Sequence, residues 1–178
     1  PLLDGTRTRM EIEATLGPAA APAVDNALAL LAEHQLVVDG PTVDESGPAA
    51  AAATFAAAVA GGTTPAAAAG ALERARVAVL GSGSIARELA RLLALSGIPR
   101  VESLSLDVEP TTGSFVVAGP EHDDLDALSG LNDWALRHGA PWLQVLPHDG
   151  RFVIAGPVFV PDASACHACF VTRRAAAS

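Results

Sequence analysis

The sequence predicts an α/β fold with a mixed sheet, preceded by a small helical module. Three observations carry this. A short buried-type strand, Val77-Ala78-Val79-Leu80, runs straight into Gly81-Ser82-Gly83-Ser84-Ile85-Ala86 and a helix. Strand-like and helix-like segments then alternate almost to the end of the chain. Ahead of Arg76 the spacing of apolar residues is helical, apart from one short run at Leu36-Val37-Val38.

Residues 1–40 read as two short helices and a strand. Gly5-Thr6 makes a turn, and Thr8-Arg9-Met10-Glu11 has the spacing of a capping box. In such a box the Thr8 hydroxyl accepts the N–H of Glu11 while the Glu11 carboxylate reaches back to the cap. Ile12 and Leu16 share a face, and Gly17-Pro18 stops the helix. A second helix starts near Pro22 and sets Val24, Leu28 and Leu31 at i, i+4, i+7, one apolar stripe. It leads into the strand at Leu36-Val37-Val38 and a turn at Asp39-Gly40. Two helices of this length cannot enclose a core alone.

Residues 41–75 are Ala-rich and read as a helical linker packed on the next domain, with a hinge as the alternative. Ser46-Gly47-Pro48 and Thr64-Pro65 are helix starts, with Pro tolerated in the first turn. Phe55 and Val59 supply a sparse apolar face, and Gly61-Gly62 ends that helix.

Residues 76–178 form the α/β domain. After the first strand and glycine loop, the helix carries Leu89, Leu92 and Leu93 and is capped by Gly97. Val101 to Leu106 is a second strand ending in Asp107, and Phe115-Val116-Val117 a third. Asp123 to His138 is helical, with Leu125, Leu128, Leu131 and Trp134 near one face. Trp142 to Leu146 and Phe152 to Ala155 flank Asp149-Gly150, a type I′ hairpin signal.

Composition narrows the function classes. A net charge of -9 and a pI near 4.8 argue against nucleic acid, whose backbone needs a clustered basic face. Arg74 with Arg76 and Arg173 with Arg174 are too few to reverse that field. No apolar stretch reaches the roughly 20 residues of a membrane span, and no secretory signal is visible. Two cysteines do not make a disulfide scaffold, which points to a reducing, cytoplasmic setting. Pro1 in place of an initiating Met, and the Arg174-Ala-Ala-Ala-Ser ending, suggest a piece of a longer chain.

Gly81-x-Gly83-x-x-Ala86 follows a strand and opens a helix, the context of a Rossmann-like dinucleotide loop. Gly81 permits the tight turn, Gly83 lets a phosphate approach the backbone, and Ala86 allows close helix–strand packing. The helix N-terminus favours negative charge. Asp107, about 20 residues further on, stands where a ribose hydroxyl is held. Against a working nucleotide site, only Val108 to Gly113 separates Asp107 from the third strand, whereas a parallel crossover normally takes about a dozen residues or more. That link also has no Lys or Arg to neutralise a triphosphate. Arg87 and Arg91, on the helix, are the nearest cations.

Cys166-His167-Ala168-Cys169 has the spacing of half a tetrahedral thiolate zinc site, since two thiolates two residues apart can face one ion. Zinc is therefore a candidate cofactor, with only a half-site in this sequence. His167 is the nearest additional donor, but adjacency points it elsewhere. A redox dithiol is disfavoured because nothing sets the pair at a helix start after a thioredoxin-like strand. Glu121, His122, Asp123, Asp124 and Asp126 cluster at a helix start, where acids cap the helix and complement its dipole; a metal site is the weaker alternative. His148 reads as an exposed residue. Ser82 and Ser84 do not form a hydrolase elbow, and no histidine can be assigned to them as base.

Two sets of residues together resemble a known family. Leu2-Leu3-Asp4-Gly5-Thr6-Arg7-Thr8, the two helices and Leu36-Val37 resemble the C-terminal half of a PqqD-like winged-helix module that recognises leader peptides. Val77 to Ala86, Ala140-Pro141-Trp142-Leu143, and Gly156-Pro157-Val158-Phe159-Val160-Pro161 through Cys166-x-x-Cys169 resemble the ThiF-like domain of azoline-forming cyclodehydratase partner proteins. The Gly-Pro-x-Phe-x-Pro run is the most specific of these; the glycine loop is generic.

The resemblance implies a winged helix that binds the leader of a ribosomally made precursor, and a ThiF-type domain that docks onto a YcaO-type enzyme. The partner enzyme spends ATP to cyclise Cys, Ser or Thr, giving thiazole- and oxazole-type peptides. The leader would add a strand at a sheet edge and lay apolar side chains on the stripe of Val24, Leu28 and Leu31. The paired strand is expected ahead of Pro1. Cys166 and Cys169 match the family's first zinc-ligand pair, and the second pair is absent from this sequence. Adenylating relatives grip ATP with Asn, Arg and Lys after the second strand, and residues 108–113 lack that set.

The expectation is thus a non-catalytic, leader-binding adaptor, with a second copy of the chain as a further candidate partner. The alternative is a ThiF-like enzyme that adenylates a carboxylate. A Rossmann oxidoreductase ranks last, since no proton-transfer residue pairs with the loop.

Overall fold

The computed structural model describes residues 3, 7–34, 36–37, 47–61, 63–148 and 150–176. The chain divides into two compact units, Pro1–Glu73 and Arg74–Ser178.

The first unit is helical among its described residues: α1 (Arg9–Leu16), a 3-10 turn (Pro18–Ala20), α2 (Ala21–Glu33), α3 (Pro48–Ala60) and α4 (Pro65–Arg74). The capping box forms as the spacing demands. The Thr8 hydroxyl accepts from the Glu11 N–H at 3.3 Å, and the Thr8 N–H donates to the Glu11 carboxylate at 2.6 Å. Gly17 ends α1 at φ 90°, a conformation that a side chain would disfavour. Arg9 reaches Glu13 on its own helix and Asp25 on α2.

The expected strand is not found where it can be tested. Leu36 and Val37 belong to no strand, while Val38, the Asp39-Gly40 turn, the Gly5-Thr6 turn, Ser46 and Gly62 lie outside the described residues. The Ala-rich segment also differs from expectation. Phe55 and Val59 are 70% and 66% exposed, and the packed face is Ala53, Ala57 and Ala68. Two positions along a helix are about 200° apart, so α3 can present only one of these faces to α4. The methyl face is the one buried, packed with Ala69 and Leu72 of α4.

The second unit contains β1 (Arg76–Leu80), α5 (Ser84–Leu95), β2 (Arg100–Leu104), β3 (Phe115–Ala118), α6 (Leu125–His138), β4 (Trp142–Leu146), β5 (Ile154–Phe159) and α7 (His167–Ala176). The sheet order is β2-β1-β3-β4-β5. The first four strands are parallel and β5 is antiparallel to β4, the mixed α/β sheet expected. Leu128, Leu131 and Trp134 of α6 pack on Leu80, Val116 and Trp142 to make the core. Leu92 and Leu125, read as inward, are 47% and 43% exposed.

Some strand ends and links differ from expectation. β2 ends at Leu104 rather than Leu106, because a turn follows at once, with the Val108 N–H donating to the Ser105 carbonyl at 3.1 Å. The ten residues 105–114 carry no helix, yet β3 lies parallel to β1. Ten extended residues reach about 33 Å, enough to pass one strand and return along its length. Nor is there a two-residue hairpin at Asp149-Gly150. Asp149 lies outside the described residues, and residues 147–153 link the strands. Phe152 and Val153 are 60% and 64% exposed. Pro147 has no N–H to continue the ladder beyond Leu146, so pairing resumes only at Ile154.

Candidate functional site

The candidate site lies at the carboxyl ends of β1, β3 and β4, around the strand-order reversal where α/β sheets hold ligands. Leu80 and Ala118 are paired neighbours, so the loops after β1 and β3 leave the sheet side by side. The Gly81 N–H donates to the Leu104 carbonyl and the Gly119 N–H to the Leu80 carbonyl, each at 2.8 Å. Gly81 has φ 138°, and a Cβ there would run into the Gly119 carbonyl oxygen. Ala86 is buried, its methyl lying where that Cβ would also meet it. The turn and the small residue at 86 thus serve the close packing expected of them.

The position above Gly83 is filled from within the chain. The Glu121 carboxylate accepts hydrogen bonds from the Ser84 N–H, from the Ser84 hydroxyl at 2.9 Å and from the Ile85 N–H at 3.3 Å. Any Cβ on Gly83 would overlap it. These bonds, with the Ser84 hydroxyl foremost, hold the Glu121 carboxyl below the usual carboxylate range, helped by the charge of Arg87. The acidic cluster therefore divides its work. Asp124 caps α6, accepting from the Ala127 N–H at 3.1 Å, and Asp123 pairs with Arg174 at 2.5 Å. Glu121 instead caps α5. Sequence reasoning had assigned it to the nearer helix; the signal that identifies its place is topological, since the residue after β3 borders the β1 loop.

A cavity of about 290 Å³ adjoins this contact, lined by Glu121, His122, Asp123, His148, Ile154 and Arg174 among others. Asp107 is exposed and borders a separate cavity of about 270 Å³, with Leu80, Gly130 and Trp134 in its wall.

Cys166 and Cys169 open α7, with both thiols free and their sulfurs 3.7 Å apart. The pair thus does stand at a helix start, contrary to the sequence expectation, although residues 160–165 separate it from β5. The Cys169 N–H, and then its thiol, pull the Cys166 thiol below its ordinary pKa. Two thiolates about 2.3 Å from a tetrahedral zinc ion lie about 3.8 Å apart, so the spacing fits two of four ligands. Among the described residues no group of three or more His, Cys, Asp or Glu side chains could hold a metal ion. His167 does not contribute. Its backbone N–H donates to the Asn132 Oδ1 at 3.0 Å, and its ring packs among Trp142, Phe159 and Phe170. Burial pushes that imidazole's pKa down, offset in part by Asp123.

On α2, Val24 is buried, Leu28 and Leu31 are half-buried, and Leu30 is 55% exposed. No single described helix is long and apolar enough to cross a membrane.

No family model and no curated protein matches the chain. Solved structures do. A heterocyclase in complex with substrate and cofactor matches 97% of this chain at 26% identity and TM-score 0.58. The heterocyclase TruD matches 96% at 25% identity and TM-score 0.60. The chain is similar to one part of a heterocyclase. It spans only 21% and 23% of the length of those two chains. E. coli MccB with ATP shares the fold over 82% of this chain and 57% of its own, at 16% identity and TM-score 0.62. The mixed sheet is consistent with the ThiF-like fold expected.

Proposed function

We propose that this chain belongs to a precursor-peptide-binding adaptor that presents its substrate to a YcaO-type cyclodehydratase, the chemistry residing on the partner. The likeness to heterocyclases over nearly the whole chain supports the pathway. The observation that carries the non-adenylating part is the Glu121 carboxylate on the Ser84 and Ile85 amides. Those donors are the ones a nucleotide phosphate would need, and a fixed negative charge among them repels it.

Leader recognition would fall to α2, with Leu28 and Leu31 as apolar anchors beside an added strand. Fluorescence polarisation of a labelled leader with the full-length protein tests this. Saturable binding, weakened about tenfold or more by Leu28→Asp or Leu31→Asp, is expected; no binding by the full-length protein ends the reading.

Zinc, if held, would take Cys166 and Cys169 as two ligands and serve to fix the start of α7. Cobalt(II) titration should then give a thiolate charge-transfer band that Cys169→Ser removes.

The alternative, adenylation of a carboxylate, is favoured by the fold shared with MccB, a protein whose structure holds ATP. ATP–pyrophosphate exchange would be its signature.

A further inference from the structure

We propose that the cavity of about 270 Å³ beside α6 receives one arginine side chain of a partner polypeptide, its stem on the apolar floor and its guanidinium at the Asp107 and Glu109 carboxylates. The floor is Leu80 at the end of β1 with Leu131 and Trp134 of α6, all buried. Residues 105–114 carry no helix, so the facing wall is the loop from Leu106 to Pro110. Gly130 of α6 completes the lining, and a Cβ there would meet nothing within 4 Å. Glycine inside a helix is unfavourable relative to alanine. No packed neighbour requires it at 130; what it leaves is room in the cavity.

Charge and size select the occupant. The ionisable side chains that line the cavity, Asp107 and Glu109, are both carboxylates. Glu109 already draws a guanidinium of the chain itself, that of Arg137, to 3.6 Å, and Asp107 is not part of that pair. A nucleotide would bring its phosphates to this acidic rim. The volume also falls below the roughly 300 Å³ at which small-molecule sites begin, which suits a single side chain. Arginine buries an aliphatic stem on apolar surface while its charged head stays in water. Its planar fork of donors can serve two carboxylates together. Carried on a polypeptide, it brings no carboxylate of its own to the mouth, as the free amino acid would. Leader binding concerns the other unit of the chain and is measured separately.

The probe is a capped glycine pentapeptide with one central arginine, titrated into the intact chain at fixed ionic strength. NMR follows the residue-130 amide and the Trp134 indole N–H, and both should shift saturably. The same peptide with citrulline keeps the shape and loses the charge. It should bind about fivefold or more weakly, as expected where a charge-assisted hydrogen bond becomes a neutral one. Asp107→Asn should weaken the arginine peptide about threefold or more and leave the citrulline peptide unchanged. Gly130→Leu fills the cavity and should abolish saturable binding of both. If that variant fails to fold by circular dichroism, Gly130→Ala decides: its methyl group narrows the cavity and should weaken the arginine peptide several-fold. No saturable shift, equal affinity for the two peptides, or undiminished binding by the folded Gly130 variant overturns the proposal. So does ATP if it moves the same two resonances saturably, since the cavity would then be a nucleotide site.

Discussion

The Asn132 side-chain oxygen accepts the backbone N–H of His167 at 3.0 Å, joining α6 to the first residue of α7 across 35 positions of sequence. Both residues are buried. A helix start leaves its first N–H groups without intrahelical partners, and this bond satisfies one of them where water cannot.

Replacing Asn132 by Ala should therefore strand that donor inside the protein. An unsatisfied buried group costs about 1–3 kcal/mol, and chemical denaturation should show a loss near 2 kcal/mol. Because Cys166 and Cys169 flank the anchored residue, their alkylation by a thiol reagent should also accelerate in Asn132→Ala. Unchanged stability would mean that α7 is fixed by its aromatic contacts and the Arg174–Asp123 pair.

Gly81→Ala should be more damaging. The new methyl group meets the Gly119 carbonyl oxygen, a backbone atom that cannot step aside, and the residue is held at φ 138°. Strain of this kind costs on the order of 1–3 kcal/mol before any overlap is counted. A loss of about 3 kcal/mol or more, read from denaturant midpoints, is expected.

How legible these features were depends on the distance over which each is decided. The Thr8–Glu11 box and the Gly17 stop are written within one helical turn, and the sequence read them correctly. Gly81 and Ala86 were legible because the strand, the turn and the helix are contiguous. Glu121 was not, for its donors lie 36 and 37 residues away and Asp124 already offered a local cap. The methyl face of α3 was misread for a related reason: Phe55 and Val59 are larger, but the face that meets Ala68, Ala69 and Leu72 of α4 is the one covered. In the β4–β5 pair Gly150 does take a positive φ of 99°, while Asp149 lies outside the described residues, and Pro147 had already broken the ladder.

Gln144 offers a gain rather than a loss. It is fully buried on β4, and neither atom of its amide has a hydrogen-bond partner. Burying an amide without partners is unfavourable by about 1–3 kcal/mol in protein mutational data. Gln144→Met, of similar length and without the amide, should raise stability by about 1 kcal/mol. In a chain of 178 residues that corresponds to roughly 2–4 °C in Tm. A lower Tm would reveal that the amide has a partner of its own, such as an internal water.

The Glu121 contact should be visible in acid. Its carboxyl titrates below the ordinary glutamate value because the Ser84 hydroxyl and the Ser84 and Ile85 N–H groups favour the ionised form. For a group whose pKa is lowered on folding, the stabilisation is fully present above the unfolded value and is lost as pH falls through the folded one. The Ser84 and Ile85 amide resonances should accordingly hold constant near neutrality and shift together with a midpoint below the usual glutamate range. Glu121→Gln should remove that titration, and the stability difference between wild type and variant should shrink over the same interval. If the two amides instead titrate at the ordinary value, the carboxylate does not rest on α5.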